Sequence, residues 1–148
     1  MIPSGVRVLF VDDDPENVAA CVAALGSAGA AQVHAVATVE AAVAVLHAET
    51  IDILVMDLFI PLGSAPRAVL GPRARKYQEN LADLGGLVLL DELERVPSPP
   101  HTLLHTACRD HVILELTRDR VAGRVRKPAP AEVLLEAVLA AIRDCRSR

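Results

Sequence analysis

Five short apolar runs recur along this chain, spaced so that a helix-length segment fits between most of them. They are Val6 to Val11 (VRVLFV), Gln32 to Val36 (QVHAV), Asp52 to Asp57 (DILVMD), His101 to His105 (HTLLH) and Val121 to Val125 (VAGRV). Runs of this length, rich in Val, Ile and Leu, have the signature of strands buried on both faces. The segments between them read as helices. Asp14 is a suitable N-cap, with Pro15 at the first helical position and a helix running to about Ala28, where Gly29 can end it. Thr38 caps a second helix over VEAAVAVLHA. Gly86 to Val96 has the spacing of an amphipathic helix, stopped by PSPP at residues 97 to 100. Arg109 to Arg118 and Ala131 to Arg143 supply two more, the last entered through Pro128 and Pro130. Strands that alternate with helices imply one parallel sheet covered on both faces.

The length of 148 residues fits one domain over the whole chain. Apolar residues make up 52%, which opposes disorder, while aromatics are only 2%, so Ala, Val and Leu must fill the interior. The net charge of −4 gives no electrostatic reason to expect nucleic acid as a partner. Cys21, Cys108 and Cys145 are widely spaced and form no CxxC, as expected of reduced thiols in a cytoplasmic protein, and Cys21 falls on a core position. The first residues enter a strand at once, so no targeting segment is expected. Val18 to Val39 lacks charges but is interrupted by Gly and Gln. It reads as helix, turn and strand, and no membrane partner is expected.

The polar residues that end these runs carry the chemistry. Asp12 and Asp13 follow the first strand, Asp57 ends the third, Thr106 follows the fourth and Lys127 lies just past the fifth. In an open parallel sheet the ligand crevice lies beyond the strand C-termini, where the strand order reverses. With the order 2-1-3-4-5, strands one and three meet there, and Asp12, Asp13 and Asp57 converge. Three clustered carboxylates raise one another's pKa unless a cation lies among them, and oxygen donors of this kind suit Mg²⁺. Asp57 is expected to face the crevice. The five histidines show no ligand spacing and read as structural or solvated.

In order and at strand ends, VLFVDDD, DILVMDLFIP, LHTA and RVRKP resemble the landmarks of the response-regulator receiver domain of two-component signalling. The likeness covers nearly the whole chain outside residues 62 to 84. It implies a flavodoxin-like, doubly wound five-stranded parallel sheet of order 2-1-3-4-5. It implies that Asp57 is the phosphoacceptor, and that Asp12, Asp13, Asp57 and the Phe59 backbone carbonyl hold Mg²⁺, with Asp13 the more direct ligand. Lys127 would pair with Asp57 and then with the phosphoryl oxygens, and Thr106 would move its hydroxyl to them. The implied partners are a histidine kinase or phosphotransfer protein and a protein target. No enzymatic turnover is implied beyond gain and loss of the phosphoryl group on Asp57.

Two departures stand out. Where such domains commonly carry an aromatic, three residues before the lysine, this chain has Arg124, so its output is expected to differ from the common mode. Residues 62 to 84 form an insertion between strand three and helix three. They include Arg67, Arg73, Arg75, Lys76, Tyr77 and Glu79, and the part from Arg73 to Leu84 has helical composition. That segment is either a solvated excursion or a docking surface. Two other functions stay open. LFVDDDPENV also resembles the late acidic motif of haloacid-dehalogenase-like phosphatases, although Glu16 stands where their nucleophile motif has Thr or Val. An adaptor that keeps the fold and works without phosphate is the other.

Overall fold

A computed structural model describes residues 5–30, 32–63 and 84–146. Five strands form one sheet: β1 (Arg7–Val11), β2 (Gln32–Val36), β3 (Ile53–Met56), β4 (His101–Thr106) and β5 (Gly123–Arg126). All neighbours are parallel, in the order β2-β1-β3-β4-β5. The helices are α1 (Ala19–Ser27), α2 (Val39–Ala48), α3 (Gly85–Glu92), α4 (His111–Thr117) and α5 (Ala131–Arg146). The strand boundaries lie within two residues of those expected. Of the insertion, positions 64–83 fall outside the described residues, and with them most of the Arg73 to Leu84 helix.

The composition of the strands explains their place in the sheet. β1, β3 and β4 lie in the middle, and Val8, Leu9, Phe10, Ile53, Leu54 and Met56 are fully buried. Each side chain of this size stabilises by roughly 1.5–3 kcal/mol when taken from water. The alternation divides the interior into two layers. Val8, Phe10, Ile53, Val55 and Leu103 pack on one face against Cys21 and Leu25 of α1 and Leu134, Val138 and Ile142 of α5. Leu9, Val11, Leu54, Met56 and Leu104 pack on the other against α2 and α3. β2 and β5 are the edges and are partly exposed.

Three helices depart from the expected form, each for a local reason. The segment after β1 is not one continuous helix. A 3-10 turn over Pro15–Asn17 comes first, because Asp14 accepts the Glu16 N–H and Pro15 has no N–H to give. The chain then re-enters helix at Ala19. α1 ends as expected at Gly29, whose φ of 99° is left-handed. There Gly29 N–H donates to Gly26 O and Ala30 N–H to Leu25 O, the paired bonds of a Schellman ending. α3 is not amphipathic. Gly85 through Leu90 and Glu92 are buried, and the helix gives way to a 3-10 turn at Leu93–Arg95. α4 is short, only 7 residues, capped by Asp110 accepting from Val112 and Ile113 N–H.

Gly85 and Gly86 press α3 against the segment after β3. Their N–H groups donate to Ile60 O and Leu58 O, both at 3.0 Å. A Cβ on Gly86 would come within 2.6 Å of Leu58 Cα and 2.7 Å of Asp57 O. Glycine is therefore what allows the helix to brace the loop that carries Asp57.

Candidate functional site: an acidic cluster at the strand C-termini

The parallel register continues past the strand ends. Asp57 N–H donates to Val11 O and Lys127 N–H to Thr106 O, at 3.1 and 3.0 Å. Since Val11 pairs with Met56 and Met56 with Leu104, the next row across the sheet is Asp12, Asp57, His105 and Val125. One oxygen from each of Asp12, Asp13 and Asp57 lies within 4.8 Å of the others. Asp12 and Asp57 are buried, while Asp13 is exposed at the rim.

Lys127 ties the cluster together. Its Nζ donates to Asp12 Oδ2 at 2.7 Å and to Asp57 Oδ2 at 2.8 Å. The remaining oxygens are also engaged. Asp12 Oδ1 accepts from Asp14 N–H at 2.9 Å and Asn17 Nδ2 at 3.4 Å, and Asp57 Oδ1 accepts from Phe59 N–H at 3.1 Å. The 3-10 turn after β1 thus serves the site, because it brings Asn17 back onto Asp12. Asp13 has no hydrogen bond among the described residues.

The clustered carboxylates were expected to need a cation among them, and within the chain Lys127 stands beside two of them. Burial alone would push the Asp57 carboxyl up. Hydrogen bonds from Lys127, the Thr106 hydroxyl and Phe59 N–H outweigh it and hold Asp57 below the ordinary carboxylate value. For Lys127, burial would lower the pKa, and its bonds to Asp12 and Asp57 raise it above the usual lysine value. The protein thus places its own cation, Lys127, between two of the three carboxylates. Asp57 is also less open than expected: it is 5% exposed, because Lys127 covers Oδ2 and Phe59 folds its N–H over Oδ1.

Thr106 is the last residue of β4 and is fully buried. Its Oγ1 accepts from Cys108 N–H at 3.2 Å, which ties the hydroxyl to the start of the next loop. Phe59 lies two residues beyond Asp57 and is 41% exposed. Asp12, Asp13, Asp57, Thr106 and Lys127 are therefore all gathered at one rim of the sheet.

His105 was missed by the sequence reading. It is 4% exposed, and its Nδ1 has no hydrogen-bond partner among the described residues. Burial lowers its pKa first and the Lys127 ammonium lowers it further, against a smaller opposing pull from Asp12 and Asp57. The signal available was the register: a polar residue one before Thr106 must stand beside Asp57 on the same face. Among the others, His34 pairs with Glu49 at 2.9 Å on the surface, a structural role. Cys21 is a core residue, with its thiol pushed up to about 11 by burial.

No family model matches this chain, and no curated protein matches its sequence. Solved structures do. A CheY-like response regulator receiver domain protein from Methanospirillum hungatei superposes with a TM-score of 0.74 at 18% identity, over 97% of this chain and 98% of the other. The signal receiver domain of NarL from Mycobacterium tuberculosis gives 0.70 at 22% identity, over 95% and 98%. The BeF3-activated DrrB receiver domain gives 0.66 at 18% identity, over 97% and 99%. Likeness at these identities speaks for the backbone architecture, and it spans nearly the full length of both partners. With the strand order and the acidic rim, it identifies the chain as one with the CheY-like receiver-domain fold.

Proposed function

We propose that the chain is a phosphorelay module that accepts a phosphoryl group on Asp57 and signals through contact with another protein. The observation that carries this is the convergence of Asp12, Asp13 and Asp57 at the switch point of the sheet, with Lys127 bonded to Asp12 and Asp57 and the Thr106 hydroxyl alongside. Phosphoryl transfer is mainly positioning and charge neutralisation, and the rim supplies both.

The lowered pKa keeps Asp57 ionised, as a nucleophile must be. One Asp57 oxygen bonds to phosphorus, and the bond from phosphorus to the donor's nitrogen breaks. The electron pair stays on the donor, a phosphohistidine of a histidine kinase or phosphotransfer protein. As that bond forms, Lys127 shifts from the Asp57 carboxylate to the transferring phosphoryl oxygens, which frees the Asp57 oxygen it covered. Thr106 gives up its link to Cys108 and donates to the phosphoryl group. The carboxylates of Asp12, Asp13 and Asp57 are hard oxygen donors close enough to share one ion and fit Mg²⁺, for which the Phe59 carbonyl would be a further ligand by the receiver-domain resemblance. When bound, Mg²⁺ would supply further neutralisation of the charge on the transferring group.

Among the described residues no helix is long and apolar enough to cross a membrane. We place the module in the cytoplasm, where its reduced thiols and a kinase partner would be found. Beryllofluoride, a stand-in for the acyl phosphate, tests the reading. In ¹⁵N-labelled protein with Mg²⁺ it is expected to shift the amides of Asp13, Asp57, Phe59, Thr106 and Lys127. A spectrum unchanged at those positions would overturn the proposal. Sustained turnover of para-nitrophenyl phosphate would favour the phosphatase reading instead.

A further inference from the structure

One polar side chain at the rim takes no part in the transfer step. His105 stands next to Asp57 in the row Asp12, Asp57, His105 and Val125. Paired residues of neighbouring strands point to the same face and lie about 4.8 Å apart, so the imidazole stands beside the Asp57 carboxylate. Lys127 leaves the chain two residues past Val125, on that same face, and reaches across β4 to Asp57 and Asp12. Its methylene chain therefore passes over His105.

His105 is buried, and no group among the described residues bonds its Nδ1. A leucine, like Leu103 two residues earlier on the same face, would fill the space without the cost of a buried polar atom left unpaired. A nitrogen kept without a partner in one state is explained if another state supplies one. The ring is neutral at about pH 7, since burial and the Lys127 ammonium both lower its pKa. It then carries one proton, which either nitrogen can hold, so Nδ1 is free to donate once an acceptor comes beside it.

We propose that His105 donates from Nδ1 to the Asp57 oxygen that Lys127 uncovers, and thereby sets the lifetime of the acyl phosphate. The inference rests on the phosphoacceptor reading of Asp57. In hydrolysis a water oxygen bonds to phosphorus, and the bond from phosphorus to the Asp57 oxygen breaks. The electron pair returns to the Asp57 carboxylate, and both protons of the water leave with the inorganic phosphate. Negative charge thus develops on a buried carboxylate while Lys127 is held by the phosphoryl oxygens. A neutral N–H already in place beside it stabilises that charge. The bond is strongest where the charge develops, so it speeds loss of the phosphoryl group and leaves its gain alone. Before transfer, Lys127 holds that oxygen itself.

The test uses the full chain, loaded with acetyl phosphate and Mg²⁺, freed of the donor by desalting and followed by intact mass. His105→Leu is expected to lose its phosphoryl group about tenfold more slowly than wild type, the worth of one ordinary hydrogen bond, and to gain it at an unchanged rate. His105→Asn keeps an amide N–H near the place of Nδ1 and should restore most of the wild-type decay. In wild type with beryllofluoride and Mg²⁺, the His105 Nδ1 signal in ¹⁵N NMR should move to the position of a protonated nitrogen. Equal decay in His105→Leu and wild type would overturn the inference. So would an Asn variant as slow as the Leu variant, or an Nδ1 signal that stays unprotonated. Gain and loss slowed alike in His105→Leu would mark a disturbed site and would also overturn it. The two readings fail separately. A wild-type chain that gains mass but decays no faster than His105→Leu sinks this inference alone, and one that gains no mass sinks the phosphorelay reading and this inference with it.

Discussion

The acidic rim and the α4–β5 corner lie at opposite ends of one short path, from Asp57 through Thr106 to Cys108, yet they are built in opposite ways. At the rim the oxygens of Asp12 and Asp57 are all engaged and the groups are enclosed. At the corner three arginines stand in solvent without an ion pair among the described residues, beside a cleft between α4 and β5. A site that moves a phosphoryl group needs fixed charges in a low-dielectric setting, so it is packed. A surface that meets a partner is completed by that partner, so it stays open. The contrast is between charges neutralised within the chain and charges left in solvent.

The sharpest way to break that contrast is at Lys127. Lys127→Met should slow phosphorylation by acetyl phosphate about 100-fold, the usual cost of removing a charge-stabilising donor. It should also raise the Asp57 pKa, readable from the side-chain carboxyl shift in ¹³C NMR. An unchanged rate would detach Lys127 from the chemistry. Packing differs between the two regions as well. Gly86→Ala forces a Cβ onto backbone atoms and should lower stability by about 1–3 kcal/mol in urea unfolding. Gly123→Ala, at the corner, meets only the Leu103 side chain at 3.3 Å and should cost under about 1 kcal/mol. Equal losses would mean the corner is as tightly built as the rim.

His105 gives a test by pH. Its folded pKa lies below the ordinary 6.5, so the unfolded chain binds the extra proton first. Stability is therefore expected to fall as pH drops from about 6.5 towards the folded value, and His105→Leu should lose that part of the slope. An identical acid profile for the variant would remove His105 from the energetics of the rim. The smallest effect is expected at Arg124. Because the side chain is exposed, Arg124→Tyr should change stability by no more than about 0.5 kcal/mol. A larger loss would show that the fold, and not a partner, holds Arg124.

The same contrast explains what the sequence made legible. Asp12, Asp57 and Thr106 could be placed because each stops an apolar run, and parallel strands deliver their ends to one rim. Alternation with helices made the strands parallel, whereas their order across the sheet was implied only by the receiver-domain resemblance. The pairing of Lys127 with Asp57 was implied by the resemblance, but the enclosure was not, because it depends on Lys127 and the Phe59 N–H covering both carboxylate oxygens at once. His105 was read as an ordinary histidine, since its neighbour Asp57 is adjacent only through the register. The corner cleft escaped notice because it arises from what α4 leaves uncovered. Arg124 announced a departure there without showing its surroundings. The continuous first helix was expected because its residues favour it; the Asp14 cap and the Asn17 bond to Asp12 outweighed that preference.

Intact mass spectrometry after incubation with acetyl phosphate and Mg²⁺ puts the central claim most directly at risk. The wild-type chain should gain the mass of one phosphoryl group, and Asp57→Ala should gain none. A wild-type chain that stays unmodified, or an Asp57→Ala chain that is modified equally, would contradict the assignment of Asp57 and the role given to the rim.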